Sequence, residues 1–393
     1  MPLTFRHGSA KKLNCPLTKM FTMQNFRRKL LPAKQKKTTL LPLFRATCPP
    51  LSDWDDKNMK VAVIGCGNIS KMHLKALSEN PETEIIAVAD INPQRADSAA
   101  KEYGAKAYYD FDELLSNEKP DSIHICTPHY LHTDIAVKAL EAGINVLTEK
   151  PCSVSDGEVE RLRNAQKKSG KQLGICFQNR YNNCVIRAKE IISSASLGKL
   201  LAIRAFVTWS RGEDYYSDDW HGTADKECGG VLINQAIHTV DLIQHLGGKC
   251  RKVTAHVAND HLKGVIEVED NASVLMKLES GITAMLYATT AYGENSDVFI
   301  ELSFENGKLR LEGDRLYSVD KTGNITEACE RPEVTYHGQS YWGVGHSVLI
   351  KDFYNCIKNN TPFAINAFDG GHAEKIVFAC YESSKTGESV EIV

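Results

Sequence analysis

At 393 residues, 42% hydrophobic and 24% charged, the chain has the composition of a soluble globular protein long enough for two domains with cores of their own. No run approaches the ~18 consecutive apolar residues that a membrane-spanning helix needs. The formal charge of −2 conceals an asymmetry. Eleven Lys or Arg and no acidic residue precede position 53, which leaves 36 basic against 49 acidic groups, a net of −13, in 53–393. So acidic a body argues against nucleic acid as a partner.

Residues 1–58 hold the basic pairs and triplets (Arg27-Arg28-Lys29, Lys34 to Lys37) and scattered prolines, with no sustained apolar period. They read as a basic, disordered extension that stops just before Met59; an organelle-targeting segment and a functional basic arm are the alternatives. Twelve cysteines are spread along the chain without a Cys-x-x-Cys spacing, several inside apolar runs (Cys126, Cys176, Cys380). That is a reduced, cytoplasmic pattern, and it predicts neither a disulfide framework nor a metal site.

From 60 to 177 strand and helix signals alternate, which predicts an α/β domain over 59–179 with a doubly wound parallel sheet. The first strand, 60–65, is a continuous apolar run leading into Gly65-Cys66-Gly67-Asn68-Ile69-Ser70, and a helix pattern over 69–79 follows at once. Gly65 permits a tight turn and Gly67 lets backbone come close to a pyrophosphate, with Asn68 and Ile69 completing a phosphate-facing loop. Ser70 occupies the third glycine position. A second apolar run, 84–90, ends in Asp90, whose carboxylate suits a ribose diol and repels a 2′-phosphate. NAD is therefore favoured, while Arg95, five residues on, keeps NADP open.

Further strands are expected at 121–126, 144–148 and 172–177, with helices near 93–103, 131–142 and 155–169. Ligands of such sheets bind beyond the strands' carboxyl ends, which directs attention to Thr127-Pro128, Glu149-Lys150-Pro151 and Gln178-Asn179-Arg180-Tyr181. Lys150, beside the cofactor site and before a proline, can donate to a substrate oxygen or relay its proton.

Beyond about 180 the rhythm changes. One helix, 183–195, leads into β-rich runs at 200–211, 251–259, 271–279, 282–291, 297–304 and 307–312, with turns at Gly281 and Asn306-Gly307. Helices near 346–358 and 370–384 close the chain. The expected second domain, 180–393, is a large, mostly antiparallel open sheet with helices on one face.

Within Gly229 to Asp241, a helical reading puts Asn234, His238 and Asp241 at i, i+4 and i+7 on one face, a polar stripe on an apolar helix. His238 suits proton exchange with an alcohol, and Asn234 can orient a hydroxyl. Arg180, Tyr181 and the stretch Tyr215-Tyr216-Ser217-Asp218-Asp219-Trp220 are candidates for sugar contact, the aromatic faces for stacking and the charges for hydroxyls. The aromatic–acid stretch reads equally well as a packed surface loop. Tyr341 to His346 is a further aromatic loop, read as structural.

Taken together, Gly65-Cys66-Gly67-Asn68-Ile69-Ser70, Thr127-Pro128, Glu149-Lys150-Pro151 and Gly229-Gly230 with His238 and Asp241 resemble the glucose–fructose oxidoreductase / inositol dehydrogenase / MocA family over 59–393. The resemblance implies a Rossmann domain, a substrate-binding and oligomerisation domain built on an open sheet, a nicotinamide cofactor, and a dimer or tetramer formed through that sheet. It implies hydride transfer at a secondary alcohol of a sugar, nucleotide sugar or cyclitol. Lys150 and His238 take the roles of catalytic pair, and Thr127, Pro128, His132 and Glu149 those of the nicotinamide's neighbours. One departure stands out: polyol dehydrogenases of the family often carry Asp where Asn234 stands, so Asp241 is left to supply charge to the imidazole. The alternatives are a redox-assisted glycoside hydrolase and a non-catalytic dinucleotide-binding regulator.

Overall fold

A computed structural model describes residues 58–329 and 345–392. β1 (Met59–Ile64) buries Val61, Ala62 and Val63 completely, as a strand covered on both faces must. It runs into α1 (Ser70–Ser78), β2 (Thr83–Ala89) and α2 (Pro93–Tyr103). α2 starts where Asn92 accepts a bond from the Arg95 amide with Pro93 in the first turn, and it stops at Gly104 in the left-handed region. β3 (Lys106–Tyr108), α3 (Phe111–Asn117), β4 (Ser122–Ile125), α4 (His132–Glu141), β5 (Asn145–Thr148), α5 (Asp156–Ser169) and β6 (Leu173–Ile175) complete this half. The short edge strand β3 and the helix α3 are not among the expected elements; β3 spans three residues and buries none of them fully.

All six strands are parallel, in the order β3-β2-β1-β4-β5-β6. The order reverses between β1 and β4, so the crevice of this sheet opens above Gly65 on one side and Cys126-Thr127 on the other.

α6 (Asn183–Ser193) leads to β7 (Leu200–Thr208), then α7 (Ile237–Gly247) and β8 (Cys250–Ala258). The chain continues through β9 (Asn271–Leu278), β10 (Thr283–Thr289), β11 (Phe299–Phe304), β12 (Gly307–Glu312), β13 (Arg315–Asp320) and β14 (Ile325–Cys329). After the undescribed 330–344 come α8 (Gly345–Lys358), α9 (Gly370–Thr386) and β15 (Val390–Glu391). Among the described residues these strands form one nine-stranded sheet, β14-β13-β12-β11-β7-β10-β9-β8-β15, antiparallel except at β7–β10. The expected architecture, a parallel sheet followed by a mostly antiparallel one, is the one observed.

β9 shows why the second sheet has two unlike faces. Ala272, Val274, Met276 and Leu278 point inward into the core, while Ser273, Leu275 and Lys277 point out. On the outer face one row of neighbours reads Leu275, Met285, Arg204, Glu301, Arg310, Tyr317. α8 returns to the first sheet and packs on α1, and the Ile175 amide donates to the Ile365 carbonyl at 2.9 Å. The described residues thus belong to one compact unit with a continuous core.

The helical reading of 229–241 needs correction. Val231–Gln235 is a π-helical turn, and α7 begins at Ile237. The wider turn precedes α7 and changes the angular spacing of Asn234 relative to His238 and Asp241, which stay three residues apart on α7.

Candidate active site

The crevice at the switch point is built from loop geometry. Gly65 adopts φ +89°, and a Cβ there would come within 2.6 Å of the Cys126 carbonyl oxygen, so only glycine fits. Around Gly67 a Cβ would meet nothing within 4 Å, so this stretch of backbone faces open space. Ser70 replaces a third glycine without obstructing the helix start, its hydroxyl donating to the Gly67 carbonyl at 2.7 Å. Asn68 is exposed and Ile69 half-buried at that start.

Asp90 lies at the rim of the same loop. Its carboxylate accepts from the Cys66 amide at 2.8 Å and from the Asn92 amide at 2.8 Å, which fixes both oxygens beside the crevice. Arg95 is exposed and near enough to Cys66 to act on it electrostatically; burial nonetheless dominates and pushes that thiol up to about 12. On the β4 side the Thr127 hydroxyl oxygen is buried, and among the described residues it has no hydrogen-bond partner. Pro128 follows it, half-buried.

An open glycine cradle, a placed carboxylate at the second strand end and an orphaned hydroxyl between them fit a dinucleotide.

The second group of side chains meets this crevice from the other half. Lys150, whose peptide bond to Pro151 is cis, extends its ammonium to the carbonyl oxygen of Asn234 at 2.9 Å. Burial pulls the Lys150 ammonium down, with Glu149 and Glu227 pulling it back up. His238 lies close enough to feel that ammonium. Burial first, then Lys150, holds its imidazole well below the usual histidine value, so it is neutral at pH 7. Its Nδ1 is buried without a partner among the described residues, and its ring meets Phe177 edge-on at 5.8 Å.

Asn234 is held in place by its side-chain amide, which donates to Glu227 and, at 3.2 Å, to the Tyr215 hydroxyl. Glu227 had no signal in the sequence, being one acid in a polar loop. The structure buries it and pushes its carboxyl up to about 7, chiefly by desolvation. Trp220 stands next to this group, edge-on to His129 at 4.9 Å and stacked near His221 at 3.7 Å; His129 in turn bonds the Glu227 carbonyl at 3.2 Å. Tyr215, Trp220, Asn234 and Lys150 therefore belong to one neighbourhood.

Five expected site residues are held by other groups of the protein. His132 sits between two carbonyl oxygens, of Pro151 at 2.6 Å and Thr127 at 2.7 Å, bracing the two cleft loops against each other. Glu149 turns into the interior, 2.9 Å from His73. Burial would raise its carboxyl, but the His346 and His73 imidazoles outweigh that and hold it well below the usual range.

Arg180 and Asp241 are paired with each other, at 2.6 and 2.7 Å in a two-pronged bond, and Arg180 also holds Asp369. Asp241 thus has no charge to offer the imidazole of His238. The Tyr181 hydroxyl donates to Asp352 at 2.6 Å. These three are satisfied within the protein, a more favourable arrangement than leaving buried charges for an occasional ligand. Tyr341 to Val344 lie outside the described residues; His346 is buried.

With the geometry established, its relatives give it context. The model of the GFO/IDH/MocA oxidoreductase family, NAD-binding Rossmann fold, matches residues 59–177, and that of the GFO/IDH/MocA C-terminal domain matches 185–310. The chain belongs to the GFO/IDH/MocA family. As a member it is an NAD-binding oxidoreductase. It is 27% identical to inositol 2-dehydrogenase of Arthrobacter over 345 residues, covering 86% of this chain and 96% of that one. It is 25% identical to D-glucoside 3-dehydrogenase of Escherichia coli, covering 85% and 97%. Among solved structures, the WlbA dehydrogenase of Chromobacterium violaceum in complex with NADH and UDP-GlcNAcA superposes with a TM-score of 0.76 at 26% identity, over 88% of this chain and 99% of that one. Among the described residues, no helix is long and apolar enough to cross a membrane.

Proposed function

We propose that this family member oxidises a secondary alcohol of a sugar, nucleotide sugar or cyclitol, with Lys150, His238 and Asn234 acting on the substrate. The carrying observation is the 2.9 Å bond from the Lys150 ammonium to the Asn234 carbonyl, with the neutral His238 imidazole in the ammonium's field. The substrates in the relatives' names support the substrate class.

The Gly65–Ile69 cradle, Asp90 and the Thr127–Pro128 loop would hold NAD, which would supply the hydride acceptor. The neutral His238 imidazole accepts the hydroxyl proton as the carbon loses its hydride. Lys150 keeps one N–H on Asn234 and directs another at the reacting oxygen, stabilising the negative charge that grows there. Asn234 and Trp220 orient the ring. The glycine cradle and the lysine would bring the reacting carbon and the acceptor together in a near-attack pose. In this scheme residues 59–179 hold the cofactor and 180–393 most of the substrate contacts.

The outer face of the nine-stranded sheet is the surface we assign to self-association as a dimer or tetramer. Leu275 and Met285 are 51% and 39% exposed there beside the Arg204–Glu301–Arg310 ladder. The free cysteines support a reducing, cytoplasmic setting.

The test is direct. Purified protein with NAD and a panel of sugars, nucleotide sugars and cyclitols is expected to raise the reduced-nicotinamide absorbance with at least one of them, and His238→Ala to abolish that rise. A panel without any response, or a fully active His238→Ala protein, refutes the reading.

A further inference from the structure

Directly behind Lys150, four side chains of metal-binding type converge from distant parts of the sequence. Glu149 comes from the end of β5, His73 from α1, Cys176 from the residue after β6, and His346 from the first turn of α8. His73 Nε2 is 2.9 Å from Glu149 Oε1 and 4.0 Å from Cys176 Sγ, and His346 Nε2 is 3.4 Å from the same Glu149 oxygen. The ligand atoms of His73, Glu149 and Cys176 all lie within 4.8 Å of one another. All four side chains are buried, His73 and Cys176 completely.

The unexplained member is His346. It is 1% exposed, and among the described residues neither of its ring nitrogens has a hydrogen-bond partner. Among the described residues its polar neighbour is the Glu149 carboxylate, 3.4 Å from Nε2, which leaves Nδ1 sealed and unsatisfied, and such groups are rare in folded chains. Its Nε2 faces the cluster. An ion at the centre would satisfy it and the Cys176 thiol together.

Distance, charge and surroundings agree on the kind of ion. Tetrahedral zinc, with Zn–N of ~2.0–2.1 Å and Zn–S of ~2.3 Å, sets its ligand atoms roughly 3.3–3.7 Å apart. Within the set of His73, Glu149 and Cys176 the separations of 2.9 and 4.0 Å bracket that range, and His346, 3.4 Å from the Glu149 oxygen but outside that mutually close set, moves in to complete the geometry. A carboxylate and a thiolate beside two neutral imidazoles carry two negative charges, which cancel a divalent cation and leave no net charge buried. A set of two nitrogens, one sulfur and one oxygen suits zinc and not magnesium or calcium.

The outer shell is already in place. His73 Nδ1 is 2.8 Å from His124 Nδ1, and His124 Nε2 is 2.8 Å from the Tyr354 hydroxyl. With His73 ligating through Nε2, its Nδ1–H donates to His124, which donates onward to Tyr354, fixing ring and tautomer.

We propose that His73, Glu149, Cys176 and His346 form a closed, structural zinc site that anchors the backbone carrying Lys150. Four protein ligands leave no position for substrate, so its role is to tie α1, the ends of β5 and β6, and α8 together. The proposal stands apart from the substrate reading and runs against the sequence expectation of no metal.

Zinc content of the full-length protein, expressed with zinc and purified without chelator, is the measurement. About one zinc per chain is expected by mass spectrometry of the metal, falling below ~0.2 in both Cys176→Ala and His346→Ala. Wild-type protein below ~0.2 zinc per chain overturns the site, and so does stoichiometric zinc that survives both substitutions. If either variant fails to fold, wild-type protein produced in cobalt medium decides. A thiolate-to-cobalt charge-transfer band supports the site, and its absence overturns it.

Discussion

Glu149 and Lys150 are consecutive, yet they serve opposite environments. Lys150 reaches across the crevice to Asn234, in a region where His238 Nδ1 and the Thr127 hydroxyl have no partner among the described residues. Glu149 enters a sealed interior and meets His73 and His346. Extended backbone makes this possible, because successive side chains leave it on opposite sides. Pairs matched to one another, such as Arg180 and Asp241, hold the scaffold in the same way as Glu149 and His73.

That division can be broken experimentally. The largest effect is expected at Lys150: Lys150→Ala should lower kcat by about 10³-fold or more while NAD binding, followed by fluorescence, is retained. A modest loss would place Lys150 with the scaffold residues. Next comes Arg180→Ala, which leaves Asp241 charged and unpaired in the core. It should cost about 3–5 kcal/mol of stability in denaturant unfolding. Unchanged stability with a raised substrate KM would restore Arg180 to the substrate site.

Glu227 sharpens the comparison because it belongs to both regions, holding Asn234 while buried. Its carboxyl stands at about 7 in the fold against an ordinary 4.5, so the folded state binds the extra proton. The stability linked to that proton is complete below about 4.5 and is lost as pH rises through about 7, a fall of about 3 kcal/mol. Glu374, buried against Cys152 and Ser153, is also raised to about 7 and contributes in the same direction. Glu227→Gln should therefore flatten the decline in thermal stability between pH 5 and 8 without abolishing it, and remove a limb near pH 7 from kcat/KM. An unaltered pH profile would put Glu227 outside the working site.

The smallest effect is at the rim. Asp90→Ala should weaken NAD about tenfold and NADP less, by loss of a charged acceptor to the ribose. Equal weakening of both would mean that Asp90 acts only through the Cys66 amide.

Much of the molecule is legible in its sequence because local signals and burial coincide there. The apolar run before Gly65, the cap at Asn92 and the strict alternation of β9 each declare an element whose neighbours merely complete it. The edges are less legible. β3 and β14 are edge strands, short or half-exposed, and an edge strand has one partner and little apolar surface to announce it. The helix through 229–241 is less legible for a different reason: a π turn leaves no mark on hydrophobic periodicity.

The sequence by itself determined the family, the cofactor loop and the residue types available for catalysis, because these reside in short contiguous motifs. Only the tertiary structure decided which charges face the crevice and which cancel one another. Arg180 finds Asp241 across 61 positions, and Glu149 finds His73 across 76. No spacing rule encodes such meetings. They follow from the cost of burying a charge alone, which is settled only once the chain has closed around it.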